Sequence, residues 1–160
     1  MKYKFFAFFV FCVAILCVVS VPKQSKVLLK KYLPYQNSTY CFYTQNASFD
    51  IPNTTKIKNG MGNIIKCQLR FADKTKQKLD VIFGESICLQ NYDENQKSLL
   101  VQNVSPITKK IESIEKIKIF YCYDSLLPRF VCVFGQKINL QIAISNNAIT
   151  VGYPLILGDY

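Results

Sequence analysis

The chain has no histidine and no tryptophan, and only two of its twenty cationic residues, Arg70 and Arg129, are arginine. Without imidazole, the Ser-His-Asp and Cys-His triads, the His-based ribonucleases and most catalytic zinc sites are excluded, because each uses that ring as base or ligand. Without tryptophan, the immunoglobulin core, which packs that residue against its disulfide, is also excluded. Scarce arginine removes the planar fork that suits bidentate phosphate recognition, so nucleic acid is not an expected partner. The six glycines form no phosphate-cradling loop and no dinucleotide fingerprint, and no Cys-x-x-Cys occurs. No metal or cofactor is expected. Internal repeats and low-complexity tracts are absent too.

What is present begins with a leader. Lys2 and Lys4 precede Phe5–Val19, an uninterrupted apolar run. Val18 and Ser20 then offer modest side chains at the −3 and −1 positions for cleavage before Val21, the pattern of a secretory signal peptide. Fifteen helical residues span roughly 22 Å, short of a ~30 Å hydrocarbon core, so no stable membrane span is expected after processing. The chain therefore reads as residues 1–20 signal peptide and 21–160 one secreted domain.

Five cysteines follow the leader: Cys41, Cys67, Cys88, Cys122 and Cys132. An oxidising compartment permits disulfides. Phe120-Tyr121-Cys122-Tyr123 and Phe130-Val131-Cys132-Val133-Phe134 mirror each other about position 127, which predicts a hairpin with Cys122 bridged to Cys132. One further bridge is expected among Cys41, Cys67 and Cys88, leaving an odd thiol that offers a route to a disulfide-linked oligomer. Four N-x-Ser/Thr triplets, at Asn37, Asn46, Asn53 and Asn103, are candidate glycosylation sites.

The apolar pattern beyond residue 39 alternates as strands do. Strands are expected at 40–43, 65–71, 79–83, 86–89 and 99–104, separated by a polar loop at 46–63, a charged connection at 72–78 and a second loop at 91–97. Ile107, Ile111 and Ile114, preceded by Ser105 and Pro106, predict a short helix over 107–116. Ile138, Leu140, Ile142 and Ile144 alternate with polar or small residues, and Asn146-Asn147 turns the chain into Ile149, Val151 and Tyr153. The expected fold is mainly β: one antiparallel sandwich or barrel-like domain with a short helix. An antiparallel sheet clasping that helix, an α+β arrangement, is the alternative.

The formal charge is +10. That balance favours anionic partners, although the abundance of Lys, Asn and Ile also fits an AT-rich coding sequence. Candidate anion contacts are Lys74, Lys76 and Lys78 at alternate positions and the pair Lys109-Lys110, with Lys116 and Lys118 close by. Among the acids, Asp80, Glu85, Asp93, Glu94 and Asp124 are the residues from which a hydrolytic carboxylate pair would be drawn. The expected function is a non-catalytic secreted glycoprotein that recognises an extracellular glycan, surface or protein partner. A secreted inhibitor or effector of a partner enzyme and a small carboxylate-dependent hydrolase are the alternatives.

Overall fold

The computed structural model describes residues 26–45, 50–59 and 62–156. The leader and the Asn46 sequon lie outside them. The strands are β1 (Thr39–Thr44), β2 (Thr54–Asn59), β3 (Gly62–Gln68), β4 (Ile82–Gln90), β5 (Thr108–Ile114) and β6 (Ile117–Cys122). They continue with β7 (Val131–Val133), β8 (Gln136–Ile138), β9 (Leu140–Ile144) and β10 (Ala148–Tyr153). Helix α1 (Leu69–Gln77) follows β3, and α2 (Glu94–Val104) follows β4. Eight strands form one sheet in the order β2-β3-β1-β4-β10-β9-β6-β5, and β7 and β8 form a separate ribbon. Every neighbouring pair is antiparallel. The mainly β, single antiparallel fold expected from the sequence holds.

The central strands are buried on both faces. All five residues of β9 are buried. Its Leu140, Ile142 and Ile144 join Phe120, Ile87 and Val151 in the main core, where Leu29, Leu69, Ala72, Leu100 and Val104 from the 3-10 turn Leu29–Lys31, α1 and α2 cover them. On the other face, Ile119 and Tyr121 of β6 pack with Ile138, Val131 and Val133 of the ribbon and with Leu155. Gly152 is needed there because the chain folds back over it: a Cβ at this position would lie 2.5 Å from the Ile156 backbone nitrogen. The Ile156 N–H in turn donates to Gln141 Oε1 at 3.0 Å. The β9–β10 hairpin forms as expected, with Ile149 opposite Ile144.

Other expectations are corrected. Residues 107–116 are not a helix but the edge strand β5 and the start of its turn, pairing Ile111 with Phe120 and Ile114 with Ile117. Ile111 and Ile114 remain half exposed, so the helical spacing had no face to bury. The turn is made by Glu115, which adopts a positive φ of 53°, and Pro106 lies in a 3-10 turn closing α2. The expected strand 99–104 is the second half of α2. Asp93 caps this helix: its carboxylate accepts the Gln96 N–H at 2.7 Å while Gln96 Oε1 accepts the Asp93 N–H at 3.0 Å. The expected strand 65–71 stops at Gln68, and the charged connection 72–78 is mostly α1. Part of the expected 46–63 loop is β2.

The Cys122–Cys132 hairpin is also overturned. Cys122 lies opposite Thr108 on one side and Leu140 on the other, whereas Cys132 lies opposite Lys137. The long alternating strand β9 takes the place beside β6. The shorter Val131–Val133 turns back on itself through Phe134 and Gly135, both at positive φ, 52° and 72°. Two successive positive φ values are what a two-residue hairpin turn requires. All five described cysteines are free thiols: Cys41, Cys67 and Cys122 are buried, Cys88 is half-buried and Cys132 is exposed. Burial pushes the Cys67 thiol up to about 11 and raises Cys41 and Cys122 as well, which suppresses the reactive thiolate. Iodoacetamide is therefore expected to label Cys132 first in the native protein, and Cys67 and Cys122 only after denaturation. A Cys132 that labels only after reduction would restore the bridge.

Candidate functional site

The five lysines singled out by sequence do not converge. Two-residue spacing on a helix turns successive side chains about 200° apart, so α1 sends Lys76 inward and leaves Lys74 and Lys78 exposed. Lys76 Nζ sits 2.6 Å from Glu85 Oε1 and donates to the Lys26 carbonyl at 2.9 Å. Lys109 falls at an irregularity in the β5–β6 register. Lys110 is committed to Glu112 at 2.6 Å and lies 3.3 Å from the centre of the Phe134 ring. Glu112 is held below the usual carboxylate range chiefly by the hydrogen bond from Lys110.

The candidate catalytic acids are likewise committed. Glu85 receives Lys76, the Tyr40 hydroxyl and the Leu28 N–H. Asp124 receives Lys31, the Tyr32 hydroxyl and the Leu126 N–H. Asp93 caps α2, and Glu94 pairs with Lys97 at 3.1 Å. Asp80 stands exposed. Apart from Asp80, these carboxylates serve the fold.

Three other lysines do meet. A cleft of about 560 Å³ opens between α2 and the ends of β6 and β9, lined by Lys97, Lys116 and Lys118 around Val101, Phe120 and Ile144. Its geometry follows from three local features. The capping box starts α2 so that Lys97, Ser98, Val101 and Gln102 share one face of the helix. The β5–β6 turn presents Lys116, and strand alternation puts Lys118 on the same face as Phe120. Lys118 Nζ lies 5.3 Å from the centre of the Phe120 ring. At the far wall the Tyr92 hydroxyl donates to the Ser145 carbonyl at 2.7 Å, joining the start of α2 to the β9–β10 turn. No Asp or Glu lines this cleft.

Comparison with family models, curated proteins and solved structures found no match. The cleft must be read from its own chemistry. Exposed ammonium groups over an apolar and aromatic floor can hold an anionic group whose body lies against Val101, Phe120 and Ile144. The hydroxyls of Ser98 and Ser145 have no imidazole to act as base in this chain.

The sequons among the described residues are accessible. Asn37, Asn53 and Asn103 are exposed. Asn53, in the left-handed region at φ 61°, lines a second cleft of about 580 Å³ with the sequon threonines Thr39 and Thr55. That cleft, which Lys66 and Arg70 also line, lies on the β1–β3 half of the sheet, away from Lys97, Lys116 and Lys118. Asn103 is on α2, about 100° around the axis from Gln102 and about 200° from Val101. Among the described residues no helix is long and apolar enough to cross a membrane, and no cluster of three or more acids and cysteines could hold a metal.

Sequence reasoning missed Lys97 as a site residue and did not separate Lys116 and Lys118 from their neighbours. The Asp93-x-x-Gln96 spacing was the available signal, since it starts the helix that brings Lys97 across.

Proposed function

We propose that the protein is a non-catalytic secreted glycoprotein that recognises an anionic extracellular ligand, with a sulfated glycan as the best-suited class. The observation that carries this reading is that Lys116 and Lys118 line one cleft over an apolar floor together with Lys97, which also pairs with Glu94 at 3.1 Å. Sulfate groups supply charge for the ammonium rim, and a sugar ring supplies an apolar face for Phe120. Among the described sequons, Asn37 and Asn53 lie toward the β1–β3 half of the sheet, so sugars attached there would leave this rim open. A carboxylate-dependent hydrolase draws less support, because four of its five candidate acids are taken up by structural partners. The inhibitor reading draws less as well, since residues 72–78 are mostly packed helix rather than a protruding loop.

The test is binding of a sulfated heparin oligosaccharide, followed by calorimetry at low and physiological salt. Lys116→Glu/Lys118→Glu is expected to weaken binding by about tenfold or more, with a strong salt dependence. Lys74→Glu/Lys78→Glu, which reverses equal charge on exposed positions outside the cleft, should change it only a few-fold. Equal losses in both double variants, or no binding at low salt, would reject the site.

A further inference from the structure

Four large apolar side chains that remain in water gather at one end of the sheet. Val81 and Phe83 lie at the start of β4, and Leu126 and Phe130 lie in the segment after β6. These positions share an end because each step from β6 through β9 and β10 to β4 is antiparallel. Arg129 joins the two segments, its guanidinium donating to the Ile82 carbonyl at 3.2 Å. Leu126 is 80% exposed, yet its turn is firmly held. Its N–H donates to Asp124 Oδ1 at 2.8 Å, the Leu127 N–H donates to the Asp124 carbonyl at 3.0 Å, and Lys31 anchors the same aspartate at 2.5 Å. A leucine fixed in water on a well-supported turn is a feature that a binding surface would cover.

The exposed charge around it is mostly positive. Lys26, Lys30, Lys31, Lys78 and Arg129 are exposed, and Asp80 is the one exposed acid within residues 26–31, 78–83 and 124–130. We infer that this end docks on an anionic lipid surface, with Leu126 entering the boundary between headgroups and acyl chains and the surrounding cations meeting the headgroups. Separate apolar tips suit a bilayer, which adapts to each of them. A protein partner would need a matching groove, and the depression beside Leu126 is rimmed by Lys30 and Lys31. Lys26 is fixed at this end as well, its carbonyl accepting from Lys76 Nζ at 2.9 Å.

The chain contains no tryptophan, so Leu126→Trp creates a unique fluorescent reporter. The test uses the full chain produced in a secretory host, its N-terminus read by mass spectrometry, with vesicles of phosphatidylcholine alone or mixed with phosphatidylserine. Flotation with the phosphatidylserine vesicles, weakened by salt, is expected, as is a blue shift of the reporter on those vesicles alone. Leu126→Ser is expected to lower vesicle affinity 10- to 100-fold, and Lys30→Glu about tenfold. Lys116→Glu/Lys118→Glu should leave it nearly unchanged, which separates this surface from the lysine cleft. Equal binding to neutral vesicles, or binding insensitive to Leu126→Ser, would overturn the inference and point to the leader. A concentration-dependent dimer abolished by Leu126→Ser would overturn it in favour of a second copy of the chain.

Discussion

Lys76→Met is expected to destabilise the protein by about 3–5 kcal/mol, because it strands the Glu85 carboxylate where water does not reach. The two side chains are 8% and 2% exposed and 2.6 Å apart. Glu85 would keep the Tyr40 hydroxyl and the Leu28 N–H, but neither brings a positive charge. Glu85→Leu is expected to cost a similar amount by stranding the ammonium instead. The double variant Lys76→Met/Glu85→Leu should lose far less than the sum, since two apolar side chains then pack where two charges stood. Full recovery is not expected, as the Tyr40 hydroxyl and the Leu28 N–H would each lose an acceptor. Denaturant unfolding of the four proteins measures this, and additive losses would show that the pair is not coupled. The same network pins the N-terminal segment, through Lys76 to the Lys26 carbonyl and Asp73 to the Val27 N–H. Hydrogen exchange at Val27 and Leu28 should therefore accelerate in Lys76→Met before the sheet itself opens.

Lys76 also shows why α1 was hidden in the sequence. Its buried stripe is Leu69, Ala72, Thr75 and Lys76, a helical spacing in which two of four positions are polar. An apolar periodicity reading sees instead Ile65, Cys67, Leu69 and Phe71, which alternate as a strand does although the strand ends at Gln68. The β9–β10 hairpin was legible because its alternation runs unbroken and every apolar member of one face is buried. Residues 107–116 failed for the opposite reason: Ile107, Ile111 and Ile114 fit a helical face, but β6 offered backbone partners that a helix at the sheet edge would have left unpaired. The lysine cleft inherits these errors. Reading 99–104 as a strand places Lys97 in a loop, and only the helix begun at Asp93 carries it across to Lys116 and Lys118. Convergence of three charges from α2, a turn and β6 is a property of packing, which alternation and charge spacing along one segment do not encode.

The other large loss is expected from Asn139→Ala, about 3–4 kcal/mol, because one buried amide closes the whole turn after β6. Asn139 is fully buried between β8 and β9. Its Oδ1 accepts the Asp124 N–H at 2.8 Å, and its Nδ2 donates to the carbonyls of Asp124 at 2.8 Å and Leu127 at 3.3 Å. Alanine takes the side-chain partner from the Asp124 N–H and the Leu127 carbonyl and opens a void, while the Asp124 carbonyl keeps only the Leu127 N–H. Asn139→Asp separates the two causes: it keeps the volume but replaces the donor facing both carbonyls with an acceptor. It should be comparably damaging at neutral pH, whereas a mild effect would assign the loss to volume alone. Asp124 gives this turn a pH dependence. Burial raises its carboxyl, but hydrogen bonds from Lys31, Tyr32 and the Leu126 N–H outweigh that and hold it below the ordinary value of 3.8. A depressed carboxyl contributes stability that is complete above the unfolded value and is lost as pH falls through the lower folded one. The turn should accordingly hold at pH 5 and loosen below about 4, the ordinary aspartate range. In Lys31→Met, which removes a leading cause of the depression, loosening should begin at higher pH. Amide chemical shifts of Leu126 and Leu127 followed across an acid titration would report it, and an unmoved transition would show that Lys31 does not hold the turn.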